Sequence, residues 1–277
     1  MIIGVIGLGF VGGSMYKSFN IKGLQKNINL FGYDKYSKNI SENELQDLLK
    51  CDIIFTALPT KYNSKLGEYD KESTIKTCDF LQNNLYDGLI VIKSTVEPET
   101  TDKLYEKFKN LNFVHNPEFL TARTAFEDFH NQKHIVLGKQ NNCDNVKFEK
   151  LIKFYKEYFP DAEISICNCL ESESMKSFVN CFYSVKIQFF TEIQQLCEKN
   201  GCNYDLVKNM MIKNGWINKM HTDIPGPDGK ISYGGLCFPK DTNALLKYME
   251  KYDSPNEVLK STILERNTMR NDNDNLI

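Results

Sequence analysis

A short apolar run, Met1-Ile2-Ile3-Gly4-Val5-Ile6, leads directly into Gly7-Leu8-Gly9-Phe10-Val11-Gly12, which opens a helix-like segment through Leu24. An apolar run of this length suits a buried parallel strand, and glycines at Gly7, Gly9 and Gly12 suit a tight turn into a helix whose first N–H groups face a phosphate. A second strand-like run, Ile28 to Tyr33, ends at Asp34. A carboxylate there can bond both ribose hydroxyls of an adenine nucleotide and repels a 2′-phosphate, so the pattern predicts NAD rather than NADP. A glycine-rich strand-to-helix turn with no ligand is the alternative reading.

Strand and helix signals keep alternating through the first half, which predicts an α/β fold, a Rossmann-type doubly wound parallel sheet. Asp52 to Leu58, Leu89 to Lys93, Asn112 to His115 and His134 to Gly138 read as further strands. Pro59-Thr60, Ser94-Thr95 and Asn116-Pro117-Glu118 each follow one of them, and ligands of doubly wound sheets bind outside those ends. Taken singly each is an ordinary turn. A helix near Val146 to Tyr158 and a strand near Glu163 to Cys167 complete a first domain over residues 1–168, leaving 169–277 as a mostly helical second domain.

That second part opens with a stretch, Glu171 to Lys199, free of proline and glycine, in which Met175, Val179, Phe182, Phe189, Ile193 and Leu196 recur at helical spacing. One helix of this length spans roughly 40 Å, long enough to bridge domains and pair with another subunit. On another stripe Glu173, Lys176 and Asn180 stand at i, i+3 and i+7, which predicts neighbouring side chains, on either a solvated face or a catalytic one.

Further on, Tyr233-Gly234-Gly235-Leu236-Cys237-Phe238-Pro239-Lys240-Asp241 sets one cysteine between a glycine turn and a probable helix start. Pro239 suits a first helical turn, and Thr242 to Lys251 reads as helix, so the Cys237 thiol would lie beside N–H groups that favour its thiolate. The alternative is a buried structural cysteine.

A net charge of −2 over 277 residues gives no electrostatic reason to expect nucleic acid or an anionic membrane. No apolar run approaches the ~20 residues of a membrane span, and no charged leader precedes the first strand, so a cytoplasmic protein is expected. Nine cysteines without a Cys-x-x-Cys pair point to reduced thiols rather than disulfides or zinc, and His130 and His134 read as surface or structural residues; no metal is expected.

The glycine loop with Asp34, Lys93-Ser94-Thr95-Val96, Asn116-Pro117-Glu118-Phe119-Leu120, the segment Glu173 to Glu192 with Lys176 and Asn180, and the Tyr233 to Asp241 block together resemble the UDP-glucose/GDP-mannose dehydrogenase family. The resemblance implies a helical, dimerising middle domain, a homodimer, and a nucleotide-sugar substrate, UDP-glucose first among them. It also implies a third, nucleotide-sugar-binding domain, and the sequence stops where that domain would start. In such chemistry a primary alcohol becomes an aldehyde, Cys237 adds to it, and a thioester is hydrolysed to the acid, reducing two NAD. By the same resemblance Lys176 and Asn180 stabilise the oxyanion, Asp241 positions water or accepts a proton, Glu118 assists hydrolysis and Thr95 orients groups near the nicotinamide. Gly7, Gly9, Val11, Gly12, Asp34, Thr60, Thr95 and Lys240 fall on positions that bind NAD. Glu118, Phe119, Leu120, Lys176, Asn180, Tyr233, Gly234 and Gly235 fall on positions that bind substrate.

Two positions depart from the family pattern: Ala122 stands where a second glutamate follows Glu118, and Trp216-Ile217-Asn218 where an arginine is usual. The segment 221–229 reads as a surface loop, either a cover for substrate or a connector. Two other function classes remain open: a single-step 3-hydroxyacid dehydrogenase, which would leave Cys237 idle, and a non-catalytic homologue that binds NAD.

Overall fold

The computed structural model describes residues 1–23, 29–36 and 43–272. Leu24 and Ile28, the expected ends of the first helix and second strand, lie outside the described residues. In chain order the elements are β1 (Ile2–Ile6), α1 (Phe10–Gly23), β2 (Asn29–Tyr33), β3 (Ile53–Thr56), β4 (Tyr62–Asn63), β5 (Glu68–Tyr69), α2 (Glu72–Asn83), β6 (Leu89–Ile92), α3 (Thr100–Lys107) and β7 (Asn112–His115). They continue with α4 (Ala125–His130), β8 (His134–Lys139), α5 (Asn145–Tyr158), β9 (Glu163–Asn168), α6 (Cys169–Asn200), α7 (Tyr204–Lys213), α8 (Phe238–Lys251) and α9 (Glu257–Met269).

The chain forms two compact units, residues 1–60 with 70–176, and residues 61–69 with 177–277; the division falls inside α6. The first unit is built on a seven-stranded sheet of order β2-β1-β3-β6-β7-β8-β9. Strands β3 and β6 are fully buried runs of Ile, Leu, Val, Phe and Thr, as strands covered on both faces require. Helices cover both faces over two separate apolar clusters. In the first, Phe19 meets Phe55 at 5.3 Å and Phe154 at 5.1 Å between ring centroids. The sheet is parallel as expected except at one pair: β8 runs antiparallel to β7, through the partners Val114↔Lys139 and His115↔Gly138. An antiparallel neighbour needs no crossover helix over the sheet, and α4, the helix between β7 and β8, is only 6 residues long.

The second unit is helical apart from the β4–β5 hairpin. Its core joins Cys181 to Leu245, Leu259 and Ile263. The part of α6 belonging to it turns a largely polar, small-residue face inward, with Ser177, Asn180, Cys181, Ser184, Gln188 and Thr191 buried. Phe182, Phe189 and Leu196, seven residues apart, are 63%, 52% and 58% exposed. Among the described residues no helix is long and apolar enough to cross a membrane.

Candidate active site

In the first unit β1 delivers the chain to Gly7, whose φ of +85° suits glycine alone. A Cβ at Gly7 would stand 2.5 Å from the Ala57 carbonyl oxygen, and one at Gly12 1.7 Å from the Gly7 carbonyl oxygen. Close packing therefore fixes both as glycine, whereas nothing lies within 4 Å of the same position on Gly9. That open side adjoins the start of α1, where unfilled N–H groups complement an anion. Val11 packs its side chain against the first apolar cluster.

Asp34 follows β2, its Oδ2 accepting the Leu8 N–H at 2.7 Å and its Oδ1 the Tyr36 N–H at 2.8 Å. The carboxylate ties the glycine loop to the end of the second strand. Beside the loop lies an open pocket of about 540 Å³ whose lining includes Gly9, Gly13, Lys17, Ala122 and Arg123. Loop, open glycine, helix start and strand-end acid together fit an NAD-type dinucleotide. The sequence had singled out neither Lys17 nor Arg123.

The other strand ends are locked to one another. Thr60 Oγ1 donates to the Thr95 carbonyl at 2.7 Å and Ser94 Oγ to that of Leu58 at 2.6 Å, which joins the ends of β3 and β6. Lys93, fully buried, sends Nζ to Asn116 Oδ1 at 3.0 Å and to the Pro117 carbonyl at 3.3 Å. Tyr155 Oη donates to the same Asn116 oxygen, and Asn116 Nδ2 donates to the Val136 carbonyl at 2.7 Å. Burial pulls Lys93 down to about 7; the Glu118 charge opposes that fall and Lys176 adds to it.

Glu118 comes next, its Oε2 accepting the Leu120 N–H at 2.6 Å and its Oε1 3.3 Å from Lys176 Nζ. Lys176 also donates to the Glu118 carbonyl at 2.6 Å and lies 5.2 Å over the Phe119 ring, which stacks on His134. His134 bonds Ser165 and His130 bonds Ser18, structural contacts in both cases.

Glu173, Lys176 and Asn180 do not form a triad. Glu173 Oε1 accepts the N–H and hydroxyl of Thr101 at the start of α3, Lys176 serves Glu118, and Asn180 bonds Asp241. Burial raises Glu173 to about 7 despite the Thr101 bonds. Helical spacing puts these residues on one stripe, but each long side chain reaches the partner its own turn faces.

In the second unit Cys237 is exposed and occupies the N-cap of α8, and the Asp241 N–H closes the first helical bond onto the Cys237 carbonyl at 2.9 Å. Helix α8 starts at Phe238, with Pro239 in its first turn as its sequence suggests. Asp241 is fully buried. Its Oδ1 accepts Tyr69 Oη at 2.5 Å and Lys240 Nζ at 2.6 Å, and its Oδ2 accepts Asn180 Nδ2 at 2.6 Å. Burial would raise the carboxyl, but the Lys240 charge and the three bonds outweigh it and hold Asp241 below its ordinary value.

The glycine turn before the cysteine rests on two buried arginines absent from the sequence reading. Arg266 Nε donates to the Tyr233 carbonyl at 3.2 Å, and Arg270 Nη1 to those of Ile231 and Ser232, each at 3.2 Å. A Cβ on Gly234 would stand 2.2 Å from Arg270 Nη2, while Gly235 needs its φ of +79°. Segment 221–229 is stapled at both ends, by Asp223 to Lys208 at 2.8 Å and by Asp228 to Arg270. Trp216 is 89% exposed.

Two family models match the chain: the NAD binding domain of the UDP-glucose/GDP-mannose dehydrogenase family over residues 34–159, and its central domain over residues 170–268. A UDP-glucose 6-dehydrogenase of Rickettsia prowazekii is 33% identical over 242 residues, covering 85% of this chain and 52% of the relative. The chain thus spans about half the length of the curated relatives it matches. Among solved structures, a UDP-glucose dehydrogenase from Pyrobaculum islandicum superposes with a TM-score of 0.81 at 23% identity, covering 96% of this chain and 68% of that one. A 3-hydroxyisobutyrate dehydrogenase of Mycobacterium tuberculosis reaches 0.72 at 14% identity, covering 99% and 95%. At those identities the likeness is one of fold.

Proposed function

The chain belongs to the UDP-glucose/GDP-mannose dehydrogenase family, and on that premise we propose that it takes part in the four-electron oxidation of UDP-glucose to UDP-glucuronate. NAD, when bound, supplies the hydride acceptor for each of the two oxidations. The glycine loop, Val11, Asp34, Thr60, Thr95 and Lys240 would hold it. Cys237 adds through sulfur to the aldehyde carbon, giving a thiohemiacetal, and later carries the acyl group as a thioester until water releases the acid. Lys176 and Asn180 donate to the developing oxyanion, and Tyr233 to Gly235 with Phe119 and Leu120 line the substrate.

The observation that carries this reading is Cys237 at the N-cap of α8, four residues before a buried carboxylate bonded by Asn180, Lys240 and Tyr69. Three donors on an acid held below its ordinary value make Asp241 a poor proton acceptor near neutral pH, which favours its orienting role and leaves Glu118 to assist hydrolysis. The exposed Phe182, Phe189 and Leu196 seam supports a homodimer paired through α6, and nine cysteines with no disulfide suit a reducing cytoplasm.

NADH release measured against sugar acid formed tests the reading. Two NADH per acid, with net oxidation lost in Cys237→Ala, is the expected result. One NADH per substrate, or wild-type output from Cys237→Ala, would favour a single-step oxidation of the hydroxyacid type.

A further inference from the structure

Of the three donors to the Asp241 carboxylate, Asn180 comes from α6 and Lys240 from α8 itself. Tyr69 comes from a hairpin inserted between β3 and α2, far away in sequence. That hairpin is minimal: Tyr62 pairs with Tyr69 and Asn63 with Glu68. Its turn is closed by the Gly67 N–H on the Asn63 carbonyl at 2.8 Å, by the N–H groups of Lys65 and Leu66 on Asn63 Oδ1, and by Gly67 at a φ of +71°. A hairpin of this size is marginal alone, so it is held by what it packs against. Tyr62 and Tyr69 meet edge to face at 6.4 Å and are buried with Ala244 of α8.

This packing clamps the Tyr69 ring and aims its hydroxyl. Lys240 lies 4.2 Å over the same ring and bonds the same Asp241 oxygen. Packing alone would be served by phenylalanine, because a buried hydroxyl lowers stability unless it is bonded. Here it meets an ionised carboxylate at 2.5 Å, the distance of a charge-assisted O–H···O bond. With Oδ1 held by two donors and Oδ2 by a third, rotation of the carboxylate about its Cβ–Cγ bond would break all three contacts.

We propose that Tyr69 is a positioning residue for the reaction: through its hydroxyl and ring the hairpin of residues 61–69 sets the orientation of Asp241 and of Lys240 beside it. Its catalytic consequence rests on the function proposed above, whereas the bond itself rests on geometry alone.

Tyr69→Phe keeps the ring and its packing, and circular dichroism with a thermal melt checks that the fold is retained. The first readout needs no substrate. A short hydroxyl–carboxylate bond shielded from water gives a far-downfield proton resonance near neutral pH, expected in the wild type and absent from both Tyr69→Phe and Asp241→Asn. The second is kinetic: with UDP-glucose and NAD, kcat of Tyr69→Phe should fall roughly ten- to a hundred-fold with KM changed by no more than about two-fold, the scale of one lost bond to a charged group. Absence of a resonance that depends on both residues overturns the proposal, as does wild-type kcat in Tyr69→Phe. If the wild type oxidises no nucleotide sugar yet shows the resonance, the functional reading falls and the placement of Asp241 by Tyr69 stands.

Discussion

Replacing Lys93 by methionine should remove a pH dependence of stability that this one ammonium imposes on the first unit. Lys93 is fully buried, its Nζ bonded to Asn116 Oδ1 and the Pro117 carbonyl, and burial brings it from 10.5 to about 7. Between those two values the unfolded chain binds more protons than the folded one, so stability rises with pH across that window. Below pH 7 both states carry the charge and the dependence vanishes; above 10.5 neither does. From pH 7.0 to 8.5 the linkage amounts to about 1.6 kcal/mol. Other groups titrate nearby, including Glu173 at about 7 and the buried thiols of Cys51 and Cys78, both raised to about 12 by burial. They are common to wild type and variant and cancel in the difference. Urea denaturation followed by far-UV circular dichroism at pH 7.0, 7.75 and 8.5 measures it: the wild type should gain about 1.6 kcal/mol more than Lys93→Met over that range. Parallel curves would refute the reasoning, showing that the Glu118 charge keeps Lys93 protonated inside the fold.

Asp34, bonded to the loop through Leu8, should make NAD the preferred cofactor, and catalytic efficiency with the two cofactors decides it: preference for NADP would remove Asp34 from the ribose. Lys176→Ala should lower kcat by about 10²-fold or more, the scale of a lost oxyanion donor, whereas a change confined to KM would leave this lysine a binding residue. Phe189→Asp places a charge in the exposed α6 seam, so light scattering should find monomer where the wild type is a dimer; an undisturbed dimer would move the interface elsewhere.

How far the sequence could be read depended on the range of the interactions involved. Strands β1, β3 and β6 are largely apolar runs whose burial follows from composition, and Gly7 and Gly12 announce a backbone approach that the Ala57 and Gly7 carbonyls confirm. The Cys237–Pro239 helix start was legible because capping is local. What escaped notice is long-range. Tyr69 lies 172 residues from Asp241, and its two-residue strands are too short for any alternation to show. Arg266 of α9 and Arg270 at its C-cap carry no local signal of their role, although Gly234, where a Cβ would collide with the Arg270 guanidinium, has no room for a side chain. The long α6 was legible as a helix, but not which of its faces turns inward. Its apolar period is real, yet Phe182, Phe189 and Leu196 face outward while Asn180, Ser184, Gln188 and Thr191 are buried. Periodicity reports that a stripe has a destination; whether that destination is the chain's own core or a second copy depends on which face carries hydrogen-bond partners. In α6 the inward face is the polar one, because Ser232 bonds both Gln188 and Thr191 and Asp241 bonds Asn180.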